Sequence, residues 1–250
     1  KKGLPLISIP TSISTNAYVT PAAGIRKEGR VEYLGNIFPK LVVIDYEVIR
    51  SAPYQINVAG VADILSIHTA HFDWQIATQA GHKASGRTFP YEEERVRRAL
   101  EVLDRVKACV QEIAHMSDEG IRLVIESFLE INNICIPVGH FRVEEGSEHF
   151  LAYNAERIAK RQFLHGRAVA LGLHVMSRLQ GNDHTGIVKV MDELQLPHSP
   201  DGIGLTAAQM REALRTLKEY VTKHNLWYSI IDDTEIDKDF IEGVMDDFEH

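Results

Sequence analysis

The sequence predicts a mainly helical fold preceded by a small α/β segment, on three observations. From Pro53 onward apolar residues recur with a period near 3.6, the spacing of an amphipathic helix. Before Pro53, two short apolar runs, Leu4 to Pro10 and Leu41 to Asp45, read as strands of the type buried in parallel sheets. Two such strands cannot complete a sheet alone. They call for partners that the chain does not itself spell out.

Each element has a local reason. Pro5 and Pro10 bound the first strand, and Ala22 to Tyr33 reads as a hairpin turning at Lys27-Glu28-Gly29. Helices are predicted over Ile56 to Ala80, Glu92 to Ala114, Asp118 to Asn132, Ser147 to Arg161, Leu164 to Leu179, Gly186 to Leu194, Thr206 to His224 and Ile236 to Phe248. Ser117 is positioned to cap the third, and Thr206 with Gln209 fits a capping box. Pro53 suits a first helical turn, where its missing N–H would go unpaired anyway. Pro90, Pro137 and Pro197 fall in connections. The expected division is 1–52, the last strands and hairpin of a truncated α/β cofactor-binding domain, and 53–250, a helical metal- and substrate-binding domain. The missing strands are expected upstream of this sequence; the alternative is that another subunit supplies them.

Composition narrows the partners. With 44% hydrophobic and 25% charged residues the 250-residue chain has the make-up of an ordinary globular protein. No apolar run approaches the roughly 18 residues of a membrane span, and the start has no signal-peptide core. A formal charge of −8 and the lack of a basic stripe argue against nucleic acid. Cys109 and Cys135, both in apolar helical contexts, are expected as reduced core residues of a cytoplasmic protein. Apolar helical faces and incomplete strands point to a homo-oligomer.

The chemistry concentrates in Glu145-Gly-Ser-Glu-His149, followed sixteen residues later by His165 in Phe-Leu-His-Gly-Arg. With Asp63 far upstream, these two imidazoles make a carboxylate-plus-two-histidine set that holds a divalent cation and leaves positions open for substrate. Spacing alone does not decide the matter: there is no His-Glu-x-x-His helix and no Cys-x-x-Cys framework. Zinc suits the donors best, with nickel or iron as alternatives. Thr11, Ser14, Thr15 and Asn16 follow the first strand, where open α/β sheets bind ligands; a plain Ser/Thr-rich turn is the competing reading. Arg142 and Arg167 are candidates for a substrate phosphate, against ordinary ion pairs. His68 is a further substrate-side candidate beside His71, His140 and Tyr153, while Asp73-Trp74 reads as packing and capping near its helix end.

These stretches together resemble the superfamily of iron-containing alcohol dehydrogenases, glycerol dehydrogenase and dehydroquinate synthase, and within it most nearly the glycerol-1-phosphate dehydrogenases. The resemblance is carried by Leu4-Pro-Leu-Ile-Ser-Ile-Pro-Thr-Ser-Ile-Ser-Thr15, Pro39-Lys-Leu-Val-Val-Ile-Asp45, Ala59-Gly-Val-Ala-Asp63, Gly146-Ser-Glu-His149 and Leu164-His-Gly-Arg-Ala-Val-Ala-Leu-Gly172. It implies a dehydroquinate synthase-like helical domain after a Rossmann-like domain for NAD(H) or NADP(H). It also implies Asp63, His149 and His165 as metal ligands and catalytic centre, and Thr11, Ser14, Thr15 and Asn16 on the cofactor side. The reaction it implies links a small phosphorylated polyol to its ketone. Other readings are a glycerol or polyol dehydrogenase, or a diverged metal-binding or assembly protein without catalysis. The family's Gly-Gly-Gly pyrophosphate turn lies upstream of this sequence. Dehydroquinate synthases carry Glu where Asp63 stands. Asn16 stands where polyol branches often place Asp, and Tyr153 lies where relatives commonly add a histidine.

Overall fold

The computed structural model describes residues 5–21, 23–27, 30–35, 37–81, 83–84 and 87–249. β1 (Ile7–Ser8) and β4 (Leu41–Val42) pair in parallel, Ile7 opposite Leu41 and Ser8 opposite Val42. Between them β2 (Ala23–Lys27) and β3 (Arg30–Leu34) form the expected antiparallel hairpin. Leu4, Ala22, Glu28 and Gly29 of the predicted strand and hairpin lie outside the described residues. Among those described, β1 and β4 have only each other, and Leu6, Ile7, Ile9, Leu41 and Val43 are 40–61% exposed. Asp45, expected to end the second strand, instead starts α1 (Tyr46–Ser51): its Oδ1 accepts from the amides of Glu47 and Val48.

The helix predicted over 56–80 is three: α2 (Tyr54–Ala59), α3 (Val61–Leu65) and α4 (Ile67–Gln79). The second break has a visible cause. Ser66 Oγ lies 2.7 Å from Asp63 O in the preceding helix and 2.5 Å from Glu144 O across the fold, and its one proton is shared between these carbonyls in competition with the helical ladder. A short hairpin of β5 (Lys83–Ala84) and β6 (Arg87–Thr88) follows, unanticipated by periodicity. α5 (Glu93–Ala108) and α6 (Val110–Ala114) split the next predicted helix at Cys109, a break nothing in the structure explains. Cys109 is exposed rather than core, because the buried stripe runs Val102, Val106, Val110 and passes it by; Cys135 is buried, and both are free thiols. α7 (Asp118–Cys135) starts at its Ser117 cap and leads through a 3-10 turn, Ile136–Val138, towards the next long pair.

That pair, α8 (Ser147–Ala159) and α9 (His165–Leu179), is the spine of the fold. A Cβ on Gly172 would stand 2.1 Å from Glu148 O, so the two helices cross backbone to backbone. After them come α10 (His184–Glu193), α11 (Pro200–Ile203), α12 (Ala207–Arg215), α13 (Leu217–His224), α14 (Ile230–Asp233) and α15 (Lys238–Asp247). The predicted helix over 206–224 breaks at Thr216, whose hydroxyl donates to Glu212 O and meets Asn154 and Arg157 of α8. The capping box at Thr206 forms as expected.

Two apolar cores lie on either side of the spine. One gathers α3, α5, α7 and α10 with Val169, Ala170 and Leu173 of α9, and takes in Ile13 and Ile49 from the N-terminal segment. The other packs Leu151 of α8 and Leu171, Val175 and Met176 of α9 against α12, α13 and α15. Each fully buried aliphatic side chain contributes roughly 1.5–3 kcal/mol, so the spine is fixed by burial on both flanks. No helix among the described residues is long and apolar enough to cross a membrane.

Candidate metal centre

Three distant stretches of chain meet at residues 59–63. A Cβ on Gly60 would stand 2.0 Å from Ile13 O, and one on Gly166 1.7 Å from Ala59 O. The loop after β1 and the start of α9 are therefore both pressed against the α2–α3 junction, which only glycine allows. Asp63 falls in the first turn of α3, where the helix field favours a carboxylate. His165 is the first residue of α9, and the α8–α9 crossing brings His149 to the same place. One ligand atom from each of Asp63, His149 and His165 lies within 4.8 Å of the others. His165 Nε2 is 3.4 Å from Asp63 Oδ1, and the two imidazole centres are 5.3 Å apart.

These residues fit a divalent ion because a carboxylate and two imidazoles converge there, with Asp63 and His149 buried and His165 partly so. Asp63 Oδ1 is buried without a hydrogen-bond partner. His149 Nδ1 donates to Glu148 Oε1 at 2.9 Å, so when neutral it turns an unprotonated Nε2 to the cluster. Glu148 is itself fully buried, accepting from Gly146 N (2.6 Å) and Thr69 Oγ1 (2.7 Å). Burial works against charging His149, yet the Glu148 bond and the carboxylates of Glu148, Glu145 and Asp63 outweigh it and push it up to about 9. A negative field strong enough to hold that proton equally suits a metal cation. Glu144, buried beside Asp63, is held well above the carboxylate range by burial and by that neighbour, and its Oε2 has no partner. Burial also raises Glu145, which accepts from the Tyr153 hydroxyl at 3.0 Å.

Glu144, Glu145 and Glu148 had no role assigned from the sequence, although carboxylates flanking a candidate ligand histidine were a readable signal. Asp73 is a correction. It does not cap its own helix but two others, accepting from Ser147 N (2.7 Å) and Ile230 N (2.9 Å), and also from Gln180 Nε2 (3.1 Å). Its reach depends on Gly146, where a Cβ would stand 2.6 Å from Asp73 Oδ2. Gly146 consequently takes the N-cap position of α8, and Ser147 is the first helical residue. Burial, with Glu148 adding to it, pushes Asp73 up to about 6.

Thr11, Ser14, Thr15 and Asn16 share the short loop after β1. It is pinned by fully buried Ile13, whose N–H donates to Asn57 Oδ1 at 3.1 Å. Ser14 Oγ lies 3.3 Å from Ser12 Oγ, Thr15 Oγ1 accepts from Ala17 N, and Asn16 O accepts from Val19 N. The contact with Gly60 sets this loop three residues from Asp63. The buried Arg142 guanidinium donates to Tyr228 O (2.8 Å) and Asp73 O (3.5 Å) and lies 5.3 Å from the Trp227 ring centre. Burial lowers it to about 10. Arg167 donates to Gln55 Oε1 at 3.1 Å. The Nε of each arginine is buried without a partner. His68 stands apart: burial lowers it to about 4, and the charged groups acting on it are Lys107, His71 and Asp183. His140 packs edge-on against Trp74 and Phe89, and the Tyr153 ring lies 6.1 Å from that of His149.

No family model matches the chain. Over 212 residues it is 29% identical to a glycerol-1-phosphate dehydrogenase (NAD(P)+) of Hyperthermus butylicus, covering 85% of this chain and 59% of that protein. The chain thus spans about six tenths of that relative's length. Its backbone is similar to that of glycerol dehydrogenase from Schizosaccharomyces pombe, with TM-score 0.68 and 20% identity over 98% of this chain and 64% of the other. An iron-containing alcohol dehydrogenase from Corynebacterium glutamicum gives TM-score 0.65 and 14% identity, covering 98% and 67%.

Proposed function

We propose, from its similarity to the glycerol-1-phosphate dehydrogenases and to the backbones of iron-containing alcohol and glycerol dehydrogenases, that this chain is a member of that superfamily and forms part of a metal-dependent, NAD(P)-linked oxidoreductase interconverting glycerol 1-phosphate and its ketone. The observation that carries the reading is the convergence of Asp63, His149 and His165, one ligand atom of each within 4.8 Å of the others, with Asp63 Oδ1 buried and lacking a hydrogen bond. An ion held there, zinc first with nickel or iron as alternatives, supplies Lewis acidity towards an alcohol or carbonyl oxygen, while NAD(H) or NADP(H) supplies the hydride.

The chain's own residues do the rest. Asp63 offsets one unit of charge, leaving a divalent site near +1 and still polarising. Glu148 holds the His149 ring, and Gly60 and Gly166 hold the loop and α9 against the ligand helix. The hydroxyls of Thr11, Ser14 and Thr15, with Asn16, line the nicotinamide side in this reading, and residues 1–52 belong with the cofactor domain. Arg142 and Arg167 are the proposed phosphate-side residues, because each keeps a buried, unpartnered Nε. His68 keeps other company and is left out of the pocket.

The test is the protein at its full natural length, stripped with chelator and given dihydroxyacetone phosphate, NADH or NADPH, and zinc, nickel or ferrous iron in turn. Nicotinamide oxidation is expected with at least one ion and is expected to be lost in His165→Ala. Faster turnover of unphosphorylated dihydroxyacetone would move the assignment to the polyol branch. No oxidation with any ion would overturn it.

A further inference from the structure

α9 carries a second gathering of imidazoles, nine residues beyond His165. A ring nitrogen of His174, a ring nitrogen of His184 and a carboxylate oxygen of Asp247 lie within 4.8 Å of one another. His174 is 4% exposed, stacked against His198 with ring centres 5.1 Å apart and covered by Phe248 at 4.6 Å.

Hydrogen bonding fixes which nitrogens are bare. Asp192 Oδ1 lies 2.9 Å from His198 Nε2, and an ionised carboxylate has no proton to give, so the imidazole donates. Neutral His198 is then left with an unprotonated Nδ1, and His174 Nδ1, 3.0 Å away, must be the donor between them. His174 Nε2 therefore carries a lone pair, buried and without a partner. The same count applies to His184. Ser177 Oγ spends its single proton on His174 O at 3.0 Å, so it accepts from His184 Nδ1, also at 3.0 Å, and His184 Nε2 is bare as well. Two imidazoles with fixed tautomers thus stand beside a carboxylate.

We propose that His174 and His184, through Nε2, and Asp247 form a second divalent-metal site of the zinc class, separate from the Asp63, His149 and His165 cluster. Two imidazoles and a carboxylate are a borderline-soft donor set that suits zinc and leaves a fourth position for water. His198, itself held by Asp192, accepts from His174 Nδ1 and so fixes the tautomer and orientation of that ring, the task an outer acceptor performs for a metal-bound histidine. Arg178, paired with Asp247 and donating to Gly243 O at 2.8 Å, holds the carboxylate in place. An ion here ties α9, the first residue of α10 and the last residue of α15 together, so its role is to clamp the C-terminal helix onto the spine.

The experiment is zinc stoichiometry on the chelator-stripped chain after desalting, with thermal melts alongside. Wild type is expected to bind two equivalents, and His184→Ala and Asp247→Asn one each; both positions are partly exposed, which protects the fold. His165→Ala is expected to lose the other equivalent and keep this one, so failure of either site is told apart from failure of the other. Zinc is expected to raise the melting temperature of His165→Ala but not of His165→Ala/His184→Ala. A zinc content unchanged between wild type, His184→Ala and Asp247→Asn overturns the site.

Discussion

Glu148 shows how much one buried carboxylate settles. It accepts from an imidazole, a hydroxyl and a backbone amide at once, and through the first of these fixes the face that His149 turns to Asp63 and His165. Removing such an outer partner typically costs 10–100-fold in metal affinity. Glu148→Ala is therefore expected to weaken zinc binding at this cluster by about that factor. Glu148→Gln, which keeps an acceptor for His149 but loses the charge, should lose less; competitive chelator titration measures both, and unaltered affinity in the alanine variant would refute the role. Asp73 governs a pH effect instead. Burial raises it from 3.8 to about 6 in the folded chain, so between those values the folded state holds a proton that the unfolded chain has released. Its contribution is complete below about pH 4 and is lost as the pH climbs through 6, a difference of about 3 kcal/mol at ~1.4 kcal/mol per unit. Urea melts across that window should show stability falling with pH in wild type and a flatter profile in Asp73→Asn.

Helices in this molecule are placed by what their glycines permit. Gly172→Ala pits two effects against each other: alanine is the better helix former by about 1 kcal/mol, but its Cβ would stand 2.1 Å from a backbone oxygen of α8. Neither backbone yields easily, and overpacking of this kind costs about 1–3 kcal/mol or more. A net loss is expected, seen in calorimetry as a melting point lower by several degrees. The same logic explains what was legible beforehand. α5, α7, α8 and α9 are long enough for an apolar period to show, and all four were placed. α1, α11 and α14 span four to six residues, too few for a period, although Asp45, Ser199 before Pro200, and Ser229 with Asp232 carried cap signals. The breaks at Ser66 and Thr216 were hidden because their causes, Glu144 and Asn154, sit far along the chain. At the site, the Asp63, His149 and His165 trio was nameable through resemblance, whereas the Asp73 bonds span 74 and 157 residues and no spacing rule reaches that far.

Taken as a whole, the molecule has a helical body buried on both flanks of α8–α9 and a two-strand corner that is not. Leu6, Ile7, Ile9, Leu41 and Val43 remain exposed at a sheet whose outer edges, among the described residues, carry no further strand. Open apolar edges of this kind template association. Sedimentation should show this chain assembling as its concentration rises. Ile9→Lys and Leu41→Lys should shift it towards monomer while leaving zinc binding intact; a monomer at all concentrations would count against the idea. The same corner bears on how the chain reaches its native state. Helix pairs such as α8–α9 form from contacts close in sequence and assemble early, whereas β1 must wait for β4 across more than thirty intervening residues. During that wait the bare rims are free to capture a neighbour, so refolding yield should depend on dilution far more steeply than the speed of helix formation does.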